Sequence, residues 1–156
     1  MTLTRRSLFV LALLPVAACG PRPERDKAPT AAARYAGNTP EMQAMIRRYA
    51  SFLEIPSELL DHVVRVESGY NPAARNGPYW GLMQINPQTA HTMGYRGPDS
   101  GLLDAETNLR FAGAYLRGAY IVANGNQTRA YDWYKRGYYY EAKARGLLEE
   151  TGLRRA

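Results

Sequence analysis

Pro56-Ser57-Glu58-Leu59-Leu60-Asp61-His62-Val63-Val64-Arg65-Val66-Glu67-Ser68-Gly69-Tyr70-Asn71-Pro72 reads as a helix that stops on a carboxylate. Pro56-Ser57-Glu58 opens it, with a proline at the start and an acid in the first turn. Leu60, Val63, Val64 and Glu67 recur at i, i+3, i+4 and i+7, so they share one helical face. The three apolar members direct that face toward a core, and the fourth is an acid. Burying a charged carboxylate costs on the order of several kcal/mol unless it is paired or protonated. Desolvation favours the protonated form, which is what a general acid needs. Ser68 to Pro72 then breaks the chain and leaves Glu67 at the lip of a loop-lined cleft. Periodicity alone keeps a second reading open, a helix-end glutamate paired with Arg65 or Arg110. His62 lies beside the apolar face with no cysteine or second histidine at ligand spacing, and reads as structural.

Helical patterning extends outward from this segment. Thr39-Pro40-Glu41 is a cap, a proline and an acid, followed by Met42, Met45, Ile46, Tyr49, Phe52 and Leu53 at helical spacing. Pro87 to Met93 allows a short helix. Asp104 caps a long one through Val122, with Leu109, Ala112, Gly113, Leu116, Tyr120 and Ala123 on one stripe. Gln127 to Lys135 and Tyr139 to Glu149 supply two more. No alternating apolar run of strand length occurs, and there is no internal repeat. The expectation is one mainly α domain over residues 40–156, with long loops at 68–86 and 94–103.

The N-terminus reads as an address. Arg5 and Arg6 precede an apolar run from Leu8 to Ala18. That run is too short for a bilayer, which needs about 20 residues. Val16-Ala17-Ala18-Cys19 resembles a bacterial lipobox, and Thr4-Arg5-Arg6-Ser7-Leu8-Phe9 loosely resembles a twin-arginine signal. Residues 1–18 are therefore expected to be a signal peptide and Cys19 the lipidated first residue. Residues 19–39 would be a disordered tether; Gly20 to Thr39 contains Pro21, Pro23 and Pro29 but no Val, Ile, Leu, Met or Phe. Such a coil spans roughly 25 Å. With Gly20 rather than an aspartate after the cysteine, the expected location is the outer membrane, facing the periplasm. An unmodified signal with a chance cysteine is the alternative.

Of 156 residues, one is cysteine and two are histidines, His62 and His91. That excludes a disulfide framework or a cysteine zinc cluster and argues against a His-rich metal site. Neither a metal nor another cofactor is expected. The net charge of +6 falls to +4 without the first 18 residues, which hold two arginines and no acid. The remainder suits a polyanionic cell envelope rather than nucleic acid.

Four blocks then follow in order. They are Glu67-Ser68-Gly69-Tyr70-Asn71-Pro72; Gly81-Leu82-Met83-Gln84-Ile85-Asn86-Pro87; Asn108-Leu109-Arg110-Phe111-Ala112-Gly113-Ala114-Tyr115-Leu116; and Ala130-Tyr131-Asp132. The set closely resembles the soluble lytic transglycosylase family, whose catalytic domain has a lysozyme-like fold. The resemblance implies cleavage of the β-1,4 bond between N-acetylmuramic acid and N-acetylglucosamine in peptidoglycan glycan strands, with closure of a 1,6-anhydro ring. It implies that one glutamate, here Glu67, serves as acid and then base. Ordinary glycosidases use two carboxylates because one must attack or activate water. An internal hydroxyl, with the substrate's acetamido group, replaces the second.

By the same resemblance, Ser68, Asn76, Gly81, Met83, Gln84, Tyr115, Tyr131 and Asp132 are expected to contact substrate. Gly81 would admit backbone close to a sugar, Gln84 would bond hydroxyls and acetamides, and Tyr115 would face the glutamate from the long helix. Gly113 would let another helix approach. The sequence departs from the pattern at Asp132, where the family usually has asparagine. Asp132 is either a retained acceptor or a second cleft carboxylate. Tyr79 and Trp80 stand where small residues are commoner, and Asn76 lies near a position often held by serine. Trp80 is either a platform for a sugar ring or core and lid filling. Two other functions stay open: a hydrolytic muramidase, or a non-catalytic peptidoglycan-binding lipoprotein. Cell-envelope machinery is a possible further partner, not identified by the sequence.

Overall fold

Thr39 opens the first helix of the described chain, residues 37–154 of a computed structural model. Its hydroxyl accepts the Met42 N–H at 3.2 Å, capping α1, Pro40–Phe52. Met42, Met45, Ile46 and Ala50 face inward from it, whereas Phe52, expected on the same stripe, is 68% exposed. The second helix, α2, runs Ser57–Ser68 and buries Leu59, Leu60, Val63 and Val64. Gly69 ends it at φ +59, a left-handed conformation that suits glycine, and its N–H bonds the Arg65 carbonyl.

The stretch expected as one loop from 68 to 86 contains a small hairpin. Strand β1, Arg75–Asn76, pairs antiparallel with β2, Tyr79–Trp80, setting Arg75 opposite Trp80 and Asn76 opposite Tyr79. Two-residue strands are too short to leave an alternating signature, so pattern reading passes over them. Next come α3, Pro87–Thr92, and a 3-10 turn, Asp99–Leu103, inside the second expected loop. The long helix α4, Ala105–Val122, is capped by Asp104, which accepts the Thr107 N–H at 2.8 Å. It is the central element, packed against α1, α3 and α5, Gln127–Arg136.

Gly113 works as expected: a Cβ there would lie 2.4 Å from Leu53 Cδ1, so its absence lets the end of α1 close on α4. The last helix, α6, spans Tyr139–Ala144 rather than reaching Glu149. Gly146 at φ +72 turns the chain there, and Leu148 and Thr151 fold back as buried residues. The fold class is the expected one, mainly α with a lysozyme-like arrangement. Residues 1–36 lie outside the described chain, and with them the expected signal peptide, Cys19 and nearly all of the expected tether.

Candidate active site

Glu67 sits in the last turn of α2, half-buried, where the helix surface passes into the loop. Its Oε1 accepts a hydrogen bond of 2.9 Å from the Tyr131 hydroxyl on α5. Burial first, and then the adjacent Glu67, push the Tyr131 phenol up to about 12. Tyr131 therefore keeps its proton at any working pH and remains a donor to the acid. The His62 ring packs edge-on against the Tyr131 ring with centroids 5.1 Å apart, and the Lys135 ammonium lies 4.5 Å from the same ring.

The opposite wall is the 80–86 loop. Trp80 and Ile85 exchange backbone hydrogen bonds of 3.0 and 3.1 Å. Gln84 takes φ +49, unusual for a side chain with a Cβ, and its amide donates to the carbonyls of Gly81 at 2.9 Å and Ala74 at 3.2 Å. Two side chains from helices hold this shape. Asn108 on α4, fully buried, accepts the Met83 N–H at 2.9 Å and donates to the carbonyls of Trp80 at 2.9 Å and Leu102 at 2.8 Å. Tyr134 on α5 donates to the Met83 carbonyl at 2.7 Å. Its burial, followed by the nearby Glu67, raises its phenol well above the ordinary value.

Glu67 opens into a pocket of about 250 Å³ that it shares with Asn76, Tyr79, Gln84, Tyr134 and Lys135. Four of those walls also border a larger arm of about 470 Å³, so the two adjoin along one groove. Among the described residues that line either of the two, Glu67, in the smaller one, is the only carboxylate. No cluster of three or more His, Cys, Asp or Glu suited to a metal ion occurs among the described residues.

Asn76 and Gln84 thus share the Glu67 pocket, and Tyr131 bonds Glu67 itself. The other positions fall differently. Tyr115 packs at a tilt against Tyr134 and Tyr138, with ring centroids 5.5 and 4.7 Å away, and lines the larger arm; the tyrosine that meets Glu67 is Tyr131. Met83 is fully buried, so its side chain packs the core instead of facing sugar. A Cβ on Gly81 would lie 2.2 Å from the Leu102 carbonyl oxygen and from Asn108 Nδ2. The close backbone approach at Gly81 is therefore to the protein's own framework. Trp80 packs against the core with the Arg75 guanidinium 3.6 Å from its ring, which leaves Tyr79 as the aromatic of the hairpin in the groove. The Ser68 hydroxyl donates to the Val64 carbonyl at 3.2 Å, back along its own helix. Asp132 pairs with Lys135 at 3.2 Å and borders a neighbouring hollow with Glu58, His62 and Tyr131; it is not among the residues lining the Glu67 pocket.

Asn108, Tyr134, Tyr79 and Lys135 are the contributors that sequence reasoning left without a role. Asn108 did carry a signal. An amide four residues before Ala112, on the buried stripe of a helix, requires partners.

Fold and site together define a mainly helical, lysozyme-like domain with one acid among the described residues of its groove. The family model of the transglycosylase SLT domain matches residues 44–148, and the chain belongs to that family. The soluble lytic murein transglycosylase of Escherichia coli (strain K12) is 38% identical over 53% of this chain and 14% of that protein. The protein of the same description from Escherichia coli O157:H7 aligns with the same figures. The crystal structure of the 70-kDa soluble lytic transglycosylase from Escherichia coli superposes with a TM-score of 0.57 at 30% identity, over 69% of this chain and 18% of that one. A complex of the 70-kDa soluble lytic transglycosylase with bulgecin A gives the same values. This chain spans less than a fifth of the length of these relatives.

Proposed function

We propose that the domain cleaves the β-1,4 bond between N-acetylmuramic acid and N-acetylglucosamine in peptidoglycan, non-hydrolytically, with Glu67 as acid and then base. One observation carries this reading: Glu67 is the only carboxylate among the described groove-lining residues, and Tyr131 donates to one of its oxygens. With Oε1 engaged, the second oxygen of the protonated acid is the one to meet the glycosidic oxygen. Proton transfer there releases the leaving sugar and leaves Glu67 as a carboxylate. The Tyr131 hydrogen bond stabilises that anion. The carboxylate then removes the proton of the muramic acid C6 hydroxyl as O6 bonds to C1. The anhydro ring closes, the acid is regenerated and no water is consumed. A hydrolytic route on a two-carboxylate plan would need a second acid in the groove, and Asp132 is not among the described residues that line it. Digests of purified cell-wall sacculi are expected to yield products one water lighter than those of a hydrolytic muramidase, as read by mass spectrometry. Products carrying the full water would assign the chain to the hydrolytic class instead.

The N-terminal pattern supports a lipid-anchored protein of the cell envelope, held through Cys19 at the outer membrane and facing the periplasm. Cys19→Ser is expected to abolish incorporation of labelled fatty acid and move the protein from the membrane to the soluble fraction. Unaltered labelling and fractionation would exclude the anchor.

A further inference from the structure

Among its described lining residues, the larger arm of the groove carries charge of one sign only. Its described lining includes neutral hydrogen-bonding side chains such as Gln84, Asn86 and Gln88, together with Lys135 and Arg136, but no Asp or Glu. Both cations stand in the last turn of α5. A helix C-terminus favours positive charge, which accounts for their sign but not for a place on the groove wall. A chain of N-acetylated sugars is uncharged, and hydroxyl and amide partners suffice to bind it. Two cations in its lining, one of them also paired with Asp132, suit an anionic substituent.

The positions of these side chains are specific. Lys135 Nζ lies 3.2 Å from Asp132 Oδ1, and it borders the Glu67 pocket as well as the larger arm. Asp132 thereby holds the ammonium at the junction of the two. The Arg136 guanidinium lies 3.8 Å from the Trp133 ring centre and makes no ion pair among the described residues. A guanidinium laid on an aromatic face keeps its fork of N–H donors available for a carboxylate. The arm's volume of about 470 Å³ is within the range of small-ligand sites.

We infer that this arm is a carboxylate-binding subsite, in which Lys135 and Arg136 hold an anionic group of the muramic acid unit while the scissile bond lies at Glu67. The inference rests on the peptidoglycan reading above and deepens it. Muramic acid carries a lactyl ether. In a peptide-stripped strand its carboxylate is free; in a substituted strand it is an amide, and the carboxylates lie along the stem peptide. Both sources offer the same chemistry to the two cations.

Two matched pairs of strand fragments separate them. One pair is stem-bearing, the other stripped, and in each pair one member has its carboxylates converted to primary amides. Binding is measured on the Glu67→Gln chain, and cleavage on the parent. In at least one pair the acid form is expected to bind roughly five- to tenfold more tightly than its amide at low ionic strength. The preference should weaken as salt screens it, and fall to near unity in Lys135→Gln/Arg136→Gln. A preference confined to the stripped pair assigns the lactyl carboxylate, and one confined to the stem-bearing pair assigns the peptide. Equal binding within both pairs overturns the subsite, as does a preference that survives the double substitution. Preferential binding without cleavage by the parent would keep the subsite and sink the catalytic reading. Failure of the folded chain to bind any fragment would sink both.

Discussion

Glu67→Gln is expected to lower the turnover of peptidoglycan strands by about 10²–10⁴-fold, the contribution typical of a general acid and base. The amide has nearly the shape of the acid, and its Oε1 can still accept from Tyr131, so the 2.9 Å contact between α2 and α5 should persist. It carries no transferable proton, and neither proton step of the proposed cycle can run through it. The loss should therefore fall on kcat with KM little altered, and thermal unfolding should stay close to that of the parent. Tyr131→Phe provides a graded comparison. It keeps the ring packed against His62 but removes the donor to Glu67. Because that phenol is raised to about 12 by burial and by Glu67, it does not lose its proton in the working range. Its contribution should appear as a uniform rate loss of about tenfold rather than as a new alkaline limb. Anhydro products formed by Glu67→Gln at the parent's rate would remove Glu67 from the chemistry. They would return it to the alternative of a structural helix-end residue.

How far the sequence reaches is set by the range of the forces that shape each feature. The place of Glu67 follows from local physics: helical periodicity puts it on the stripe of Leu60, Val63 and Val64, and Gly69 stops the helix two residues later. Its partner depends on how α5 crosses α2, between residues 64 apart in the chain. That is why the expected Tyr115 gave way to Tyr131. Trp80 and Met83 belong to the wall of the groove, but composition cannot tell which side of a wall a side chain occupies. In the fold Met83 faces the core, and Trp80 lies beneath Arg75. The 80–86 loop was legible as a block and not as a shape, because its backbone is held by a buried amide from another helix. The early end of α6 has a local signal in Gly146, whose positive φ turns the chain after Ala144.

That buried amide gives the second large effect. Asn108 bonds three backbone groups, the Met83 N–H and the carbonyls of Trp80 and Leu102. The Trp80 carbonyl also accepts from Ile85, so it retains a partner when Asn108 is changed. Asn108→Asp keeps the shape and still accepts from Met83, but sets an anionic oxygen against two carbonyls in a site closed to water. Near neutral pH this should cost roughly 2–5 kcal/mol of stability. A loss of that size corresponds to a melting point about 10 °C lower, or more. The sign of its pH dependence identifies the cause. Burial beside carbonyl oxygens favours the protonated aspartic acid, so its folded pKa lies above the unfolded value of about 3.9. The native variant then binds its proton more tightly than the unfolded chain. Its stability relative to the parent is greatest below the unfolded pKa and is lost as pH rises through the folded one. Asn108→Leu removes the same hydrogen bonds without a titrating group, and its deficit should not vary with pH. Both variants should also lose strand cleavage beyond what unfolding explains, because the left-handed backbone of Gln84 beside Glu67 depends on this clamp. Denaturant titrations at about pH 4 and about pH 8 separate the two. A deficit in Asn108→Asp that does not shrink on acidification would mean that Asn108 serves by filling space, and that the shape of the 80–86 loop is held by something else.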